Sequence, residues 1–407
     1  MAISRRVIGL GLFVFAASVN LSVAGANIGW GIVAAGLLFD FGDRSFAGRL
    51  GRLLAEWRGD PLFLPWVLYL GVSAVSALPG PAPREALASL VRWDATHALA
   101  YFLLAAAARR VSVREAGWGY LAAAVAAAGL GIWQVWRGYV AQGHVSIYDA
   151  AHGTVHHVTY GELMALSLGF CLSVLAFARR ATGLWPLGGA AAFLTVALGL
   201  SQTRGAWIAV PVICVFSAWL YRPGRPRVLA FIGVNIALAC AVLAAGPRFS
   251  MTASLRERAA SIFSTDFSSN RIRLGMWKVG LRMFRDHPLT GIGIGRVKKR
   301  FRDYQPEQLG TEADWGSLHN LYVHQLAERG APALAALLAL FASMWRLALR
   351  RLREGAGPWR LWAAAALPGF FVMNLTETSF QHAVVAFTVC WMLAAAQAPS
   401  EPTSREA

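Results

Sequence analysis

Long apolar segments recur along this chain of 407 residues, and each is nearly free of charged side chains. A helix needs roughly 20 mainly apolar residues to cross the hydrocarbon core of a bilayer. Because backbone polar groups must be satisfied inside the bilayer, such segments fold as helices. We therefore predict an all-α polytopic membrane protein with about twelve transmembrane helices. The predicted spans are 7–23, 26–41, 61–79, 95–109, 117–136, 160–178, 184–202, 205–221, 227–246, 319–347, 358–376 and 379–397.

The composition excludes the other broad classes of protein. Apolar residues make up 57% of the chain and charged residues 14%, whereas soluble domains have roughly 45–50% and 25%. The net charge of +17 comes from 38 basic and 21 acidic residues. Such an excess is also typical of nucleic-acid-binding proteins, but those are far less apolar. We therefore expect no nucleic-acid partner, and the basic residues need another explanation.

Part of the basic excess is explained by membrane orientation. Connections on one side of the predicted spans carry 20 Lys and Arg residues, and the short connections on the other side carry four. Basic residues concentrate in cytoplasmic loops, so we predict that both termini are cytoplasmic. The first apolar run continues from Val7 to Phe39, which predicts two short spans rather than a removable signal peptide.

One long connection carries the remaining excess. We divide the chain into residues 1–246 with helices 1–9, a large outer loop at 247–318, helices 10–12 at 319–397, and a cytoplasmic tail at 398–407. The loop holds thirteen Lys and Arg residues on the non-cytoplasmic side, where a long loop is exempt from the charge rule. These residues could contact acidic head groups of membrane lipids or serve an anionic ligand.

The outer loop contains a recognisable helix. Ile272, Met276, Val279 and Met283 recur at helical spacing with basic residues between them. We predict a basic amphipathic helix in the outer membrane–water interface. The three glycines of residues 291–295 predict a flexible turn; no strand precedes them, so a nucleotide-binding motif is disfavoured.

Two arginines are candidate anion ligands. Arg204 lies in a tight turn between two spans, where it either snorkels to water or holds a phosphate through its bidentate guanidinium. Arg273 lies four residues before Trp277 on the amphipathic helix, so the two share a face. This pair could bind a phosphate, or it could be an ordinary interfacial anchor.

Histidines supply the candidate acid–base group. His319 opens the span after the loop, where neutral imidazole could act as a general base; a structural role is the alternative. Glu377, Asp94 and His97 are further polar groups on the same side. A second cluster lies before the sixth span and could bind a metal, although its spacing matches no compact ligand set. It comprises His144, Asp149, His152, His156 and His157.

Taken together, three segments resemble the O-antigen ligase family of bacterial envelopes, whose superfamily also holds O-antigen polymerases and protein O-oligosaccharyltransferases. The resemblance covers roughly residues 185–340, and the family's second Gly in the His motif is Ala333 here. The segments are Ser-Gln-Thr-Arg204-Gly-Ala-Trp, then Arg273-Leu-Gly-Met-Trp277 running into His287-Pro288-Leu-Thr-Gly291-Ile-Gly293, then His319-Asn320 followed after nine residues by Gly330.

The resemblance implies a function and a site. It implies a GT-C-like fold in the bacterial inner membrane with a periplasmic active site. His319 would be the catalytic base, and Arg204 and Arg273 would bind the pyrophosphate of an undecaprenyl-linked glycan donor. The acceptor would be a sugar hydroxyl of lipid A–core oligosaccharide, and the transfer would be inverting, without metal or cofactor. We add Arg271, Trp277 and Asn320 as substrate-binding candidates.

Three alternatives remain open. A polymerase of the same superfamily would join glycan repeats to one another, and a protein O-oligosaccharyltransferase would transfer to Ser or Thr. A transporter or lipid flippase would carry charged or broken helices at the bilayer midplane, ideally in two related halves. Here the polar candidates cluster at the outer ends of spans, which favours a transferase.

Overall fold

The computed structural model describes residues 2–40, 45–143, 150–178, 181–244, 268–305 and 315–399, together with 255, 257 and 259–262. These residues form helices and connections, with no strand among them, which confirms the all-α prediction. The helices are α1 Ala2–Ser18, α2 Val23–Asp40, α3 Phe46–Arg58, α4 Phe63–Ala77, α5 Pro83–Leu90, α6 Thr96–Ala108, α7 Arg114–Gln142, α8 His157–Phe177, α9 Ala181–Leu200, α10 Arg204–Leu220, α11 Arg225–Ala244, α12 Ser268–Asp286, α13 Val297–Tyr304, α14 Leu321–Glu354, α15 Pro358–Met373 and α16 Ala383–Ala395.

The protein is a multi-pass membrane protein. Among the described helices, α2, α7, α8 and α14 are each long and apolar enough to cross a bilayer. The number rises to six if each of two sharply bent pairs forms one span, namely α3 with α4 and α10 with the helical segment after it. Each of the twelve predicted spans overlaps one helix, but only four to six meet these requirements of length and composition.

Small residues allow the helices to pack closely. A Cβ built at Gly29 of α2 would lie 2.4 Å from the backbone nitrogen of Phe15 in α1, so the two backbones touch at this glycine. Helix α8 is deeply enclosed, with 18 of its 21 residues buried. It packs against several other helices, which hold its N-terminus at His157 in place.

Ion pairs occupy the end of the bundle that we predict to be cytoplasmic. Arg109 lies 3.0 Å from Asp60 (Nη1 to Oδ2) and Arg110 lies 2.6 Å from Glu56 (Nη2 to Oε2). These contacts join α6 to α3 and to the turn after it. Some of the basic residues that indicate orientation therefore have acidic partners within the protein.

The amphipathic helix α12 packs on protein. Met276, Val279 and Met283 are at most 1% exposed and contact a small core that includes Phe301 and Leu318. The predicted helical periodicity is therefore confirmed, and the helix ends at Asp286. The apolar face does not lie in the membrane interface, because α13 and the start of α14 cover it.

The glycine segment after α12 is a docked turn rather than a flexible one. α14 is broken at Gly330, whose φ of 78° and ψ of 179° are not helical. The break leaves backbone groups for the preceding loop: Ile292 N–H donates to Ala327 O at 2.8 Å, and Ala331 N–H donates to Pro288 O at 2.8 Å. Positive φ at Gly291 fits this close approach, as glycine tolerates that conformation without strain.

A buried charge pair lies beside the break. Arg329 of α14 is 3% exposed and lies 2.8 Å from Asp94 (Nη2 to Oδ2). Tyr69 of α4 accepts a hydrogen bond from Arg329 at 2.9 Å and donates one to Asp94 at 2.8 Å. The pair thus ties α14 to α4 and to the single π-helical turn Val91–Ala95.

Candidate functional site

A cavity of about 370 Å³ collects polar side chains from five separate parts of the chain. These parts are the start of α8, the turn before α10, helix α12, the segment before α14, and the connection between α15 and α16. Arg204, Arg273 and His319, all predicted from the sequence, line it together. The full lining is His156, His157, Val158, Thr203, Arg204, Ile272, Arg273, Met276, Trp315, His319 and Glu377.

His319 is held by a carboxylate. Its Nδ1 lies 2.7 Å from Oε2 of Glu377. Because the carboxylate accepts the Nδ1 proton, the neutral imidazole keeps a lone pair on Nε2, as a general base requires. His319 lies two residues before α14 rather than at its first residue, with a positive φ of 47°. Glu377, and not the helix terminus, is therefore the group that orients this ring.

Glu377 also contacts the arginine of α12. Its second oxygen accepts a hydrogen bond from Nη2 of Arg273, and its side chain is 5% exposed. Burial by itself would raise the pKa of Glu377, but the hydrogen bond from His319 and the charge of Arg273 outweigh it and lower that pKa. Glu377 is therefore ionised at neutral pH and links the base to an arginine.

Arg204 is enclosed by protein. It is the first residue of α10 and is 5% exposed. Its Nη1 donates to the backbone oxygen of Ser261 at 2.9 Å and contacts the Ser261 hydroxyl at 3.2 Å. Burial of this kind is inconsistent with snorkelling to water. Thr203, the N-cap residue, also lines the cavity, so the N-terminus of α10, the positive end of its dipole, lies at the cavity wall.

Two glycines let the walls of the cavity meet. A Cβ at Gly161 of α8 would lie 2.6 Å from the Ser201 hydroxyl, and one at Gly205 would lie 2.2 Å from the Thr376 hydroxyl. The first approach brings the start of α8 against the turn before α10. The second brings the connection after α15 against α10, which places Glu377 in the same cavity as Arg204.

Comparison with known proteins agrees with this geometry. Residues 189–338 match the model of a family described as O-antigen ligase. The matched segment contains Arg204, Arg273 and His319. This part of the chain is an O-antigen ligase family domain.

A curated relative carries no functional name. A stretch of 150 residues is 27% identical to an uncharacterized protein of Haemophilus influenzae, covering 35% of this chain. The match spans 37% of the length of that relative. Glu377 and His156 lie outside the residues matched by the O-antigen ligase family, although both line the cavity built around its arginines and histidine.

The histidine cluster before α8 divides in two. His156 and His157 line the cavity, with ring centroids 4.5 Å apart. His152 is exposed and is not part of the cavity lining. Among the described residues, no group of three or more His, Cys, Asp or Glu side chains could hold a metal ion. His144 and Asp149 lie outside the described residues.

Three other predicted substrate ligands are not part of the cavity lining. Arg271 is exposed on the neighbouring turn of α12, and Trp277 packs beside the small core under that helix. Asn320 is the N-cap of α14: its Oδ1 accepts hydrogen bonds from the backbone of Tyr322 at 3.0 Å and Val323 at 3.1 Å. Its side chain is thus used to begin the helix.

The structure adds residues that sequence reasoning did not assign to the site. Glu377 is identified from the sequence only as a polar group on the outer side, and nothing in the sequence points to Trp315. Trp315 packs edge-on to His319 with ring centroids 6.2 Å apart. Glu377 stands out in the sequence as a carboxylate between two apolar spans, which indicates a functional or structural role. The sequence does not show that His319 is its partner.

A second histidine–carboxylate pair lies near the cavity. Nδ1 of His382 is 2.8 Å from Oε2 of Glu162, and the Ser379 hydroxyl donates to the other oxygen of Glu162 at 2.5 Å. Glu162 of α8 therefore binds the connection that leads into α16.

Proposed function

We propose that the protein is an O-antigen ligase. It transfers a glycan from undecaprenyl pyrophosphate to a sugar hydroxyl of lipid A–core oligosaccharide. One observation carries the proposal: Arg204, Arg273 and a His319–Glu377 pair converge on a single cavity. Two cations and a base with a free ring nitrogen are the groups needed to expel a pyrophosphate and to activate a hydroxyl.

The arginines bind the leaving group. With His319 neutral, Arg204 and Arg273 outweigh Glu377, so these four side chains carry net positive charge. A guanidinium presents two parallel N–H donors that match phosphate oxygens. Fixed positive charge stabilises the negative charge that develops on the pyrophosphate as its bond to the sugar breaks. We therefore propose that the reaction needs no metal or other cofactor.

His319 activates the acceptor. The acceptor hydroxyl oxygen attacks the anomeric carbon of the first donor sugar, and its proton passes to Nε2 of His319. A bond forms between that oxygen and the anomeric carbon while the bond from carbon to phosphate oxygen breaks. Undecaprenyl pyrophosphate leaves with the electron pair, and a single displacement inverts the anomeric centre. Glu377 stabilises the imidazolium that results.

The position of the site suits two lipid-linked substrates. We propose a GT-C-like bundle of about twelve spans in the bacterial inner membrane, with cytoplasmic termini and the cavity on the periplasmic side. The count of basic residues supports this orientation. A cavity at the ends of the helices would allow donor and acceptor to enter laterally from the outer leaflet.

One observation favours a transporter instead. Charged groups inside spans and broken helices mark transport pathways, and Arg329 lies next to the break in α14. However, Arg329 and Asp94 are 3% and 4% exposed and form a direct hydrogen-bonded ion pair, and Tyr69 and Ser73 also accept hydrogen bonds from Arg329. We interpret the pair as structural support for the break, on which the loop after α12 docks.

Replacement of His319 by Ala tests the proposal. Loss of a general base lowers transfer by roughly 10²–10⁴-fold. Cells should lose O-antigen ladders on lipopolysaccharide gels and accumulate undecaprenyl-linked glycan. The matched control is His152→Ala, which removes an exposed histidine outside the cavity. Normal ladders in cells containing stably expressed His319→Ala protein would refute the assignment of the base.

Acceptor choice needs a separate assay. Purified protein in lipid nanodiscs is given the lipid-linked donor with lipid A–core, with a second portion of donor, or with a Ser-containing peptide. A ligase forms product with lipid A–core alone. Longer lipid-linked glycan would instead identify a polymerase, and glycopeptide would identify a protein O-oligosaccharyltransferase. Transfer that stops with a chelator and returns with a divalent ion would contradict the metal-independent mechanism.

A further inference from the structure

His156 lines the cavity, and its hydrogen bonding indicates which ring nitrogen carries the proton. Its Nδ1 accepts a hydrogen bond from the backbone N–H of Val158 at 3.4 Å. In the neutral ring the proton therefore lies on Nε2, and this nitrogen is a donor. His319 has the opposite arrangement, since its Nδ1–H donates a hydrogen bond to Glu377 and its Nε2 is left without a proton. The cavity thus contains one histidine suited to accept a proton and one suited to donate a hydrogen bond.

The surroundings of His156 favour its uncharged form. His156 is exposed by accessible surface, but partial desolvation of its ring lowers its pKa, and the nearby His382 acts in the same direction. The carboxylates Glu377 and Glu162 oppose this change without reversing it. The remaining charged or titratable groups that line the cavity are His157, Arg204 and Arg273.

A neutral donor is suited to a neutral ligand atom. Phosphate oxygens would favour a cationic imidazole, and the two arginines already supply positive charge for the pyrophosphate. The first donor sugar must lie between the pyrophosphate and the hydroxyl that His319 deprotonates, because its anomeric carbon is bonded to one and attacked by the other. His156 lines this same space, together with the indole of Trp315.

We propose that His156 binds the donor sugar, through a hydrogen bond from Nε2–H to an uncharged oxygen of the residue attached to the pyrophosphate. Trp315 provides the apolar wall of this sugar subsite. The inference rests on the proposed function and adds a residue that recognises the glycan rather than its lipid carrier. His156 is thus a specificity residue of the donor site.

Two probes separate sugar from phosphate recognition. The first is the lipid-linked glycan purified from cells that lack this protein, used as donor in a steady-state assay with lipid A–core. The second is undecaprenyl pyrophosphate without glycan, used as a competitive inhibitor. The variants are His156→Ala, His156→Gln, which keeps an N–H donor, and the exposed control His152→Ala. Arg273→Lys serves as the reference for damaged phosphate binding.

For His156→Ala, we expect kcat/KM for the donor to fall roughly three- to tenfold, the range for loss of one neutral hydrogen bond. The inhibition constant of undecaprenyl pyrophosphate should not change, whereas Arg273→Lys should raise it. His156→Gln should recover most of the loss, and His152→Ala should match the wild type.

Three results would overturn the inference. These are an unchanged kcat/KM in His156→Ala, an inhibition constant raised as much as in Arg273→Lys, or a Gln variant as impaired as the Ala variant. Failure of the proposed function would look different, because the wild-type protein would then form no product from donor and lipid A–core.

Discussion

Glu377 accepts hydrogen bonds from two groups with different tasks, the imidazole of His319 and the guanidinium of Arg273. At the scale of residues, this contact determines which ring nitrogen of His319 is available. It also couples the side that activates the acceptor to the side that binds the leaving group. The proposed mechanism therefore depends on a carboxylate that itself touches neither reacting atom.

Glu377→Gln should impair transfer without removing the side chain. The amide keeps the shape of the carboxylate but loses the negative charge that stabilises the imidazolium. We expect kcat to fall by about 10²-fold, the scale of losing one well-placed electrostatic group. The assay is donor transfer by purified protein. Glu85→Gln, at an exposed carboxylate paired with Lys299, should retain wild-type activity; equal activity of Glu377→Gln would contradict the coupling.

The lowered pKa of Glu377 predicts how stability depends on pH. Because the native pKa lies below the ordinary value of 4.5, ionised Glu377 stabilises the folded state above that pH. This contribution is lost as pH falls through the native pKa. The melting temperature of the wild type should exceed that of Glu377→Gln at neutral pH, and the gap should narrow below pH 4.5. A gap that widens on acidification would contradict this assignment.

Two arginines on α12 form a matched pair for testing the phosphate site. Arg273 lines the cavity, whereas Arg271 is exposed two residues earlier. Lys retains the charge but loses the bidentate fork. We expect Arg273→Lys to lower transfer by at least about tenfold, as a charged hydrogen bond of roughly 1.5–3 kcal/mol is disrupted. Arg271→Lys should leave transfer unchanged; similar losses in both variants would indicate a general effect on α12.

At the scale of elements, a broken helix supports the loop that carries the site. The turn after α12 docks on α14 where Gly330 interrupts the helix, and a Cβ at Gly330 would lie 2.4 Å from the backbone carbonyl of Leu289. The small core under α12 lies next to this contact. The position of Arg273 therefore depends on backbone contacts that are remote from the cavity.

Gly330→Ala should weaken this docking. Alanine meets both a steric clash and an unfavourable positive φ, which costs roughly 1–3 kcal/mol. We expect a lower melting temperature and faster proteolysis within the outer loop. Gly316→Ala is the control, because a Cβ there would be 3.8 Å from its nearest neighbour. Equal protease resistance of the two variants would show that the break tolerates a side chain.

At the scale of the whole molecule, buried polar contacts join helices that are distant in sequence. Arg329 and Asp94 are 235 residues apart in the chain, and Tyr69 bridges them. Together they fix α14 against α4 and the start of α6. The opposite end of the bundle is held by the pairs of Arg109 and Arg110. Polar contacts thus orient helices whose apolar surfaces alone would pack less specifically.

Removing one partner of the buried Arg329–Asp94 pair should lower the free energy of unfolding more than removing both charges. Arg329→Met leaves Asp94 as an uncompensated buried charge, a loss of roughly 3–5 kcal/mol. The double variant Arg329→Met with Asp94→Asn should recover part of this stability. Thermal unfolding of the single and double variants in detergent checks the coupling. Strictly additive losses would show that the two residues contribute independently.

The sequence predicted the helices, and three of the side chains that line the cavity, better than it predicted the contacts between them. The positions of α12 and α14 followed from periodicity and hydropathy, and Arg204, Arg273 and His319 followed from motifs. The interfacial placement of α12 and the flexible glycine turn were wrong, because both depend on what covers a surface. The binding assignment of Asn320 remains a prediction, although its side chain caps a helix.

The apolar helices are predictable from local sequence, because hydropathy and length are properties of each segment alone. The sequence also determined which side chains could carry charge or accept a proton. Tertiary structure decided that His319 pairs with Glu377, 58 residues away, and that Arg273 reaches the same carboxylate across 104 residues. Those contacts arise because Gly161 and Gly205 let three segments approach within the reach of a side chain. Such proximity is a property of helix packing, which local pattern does not encode.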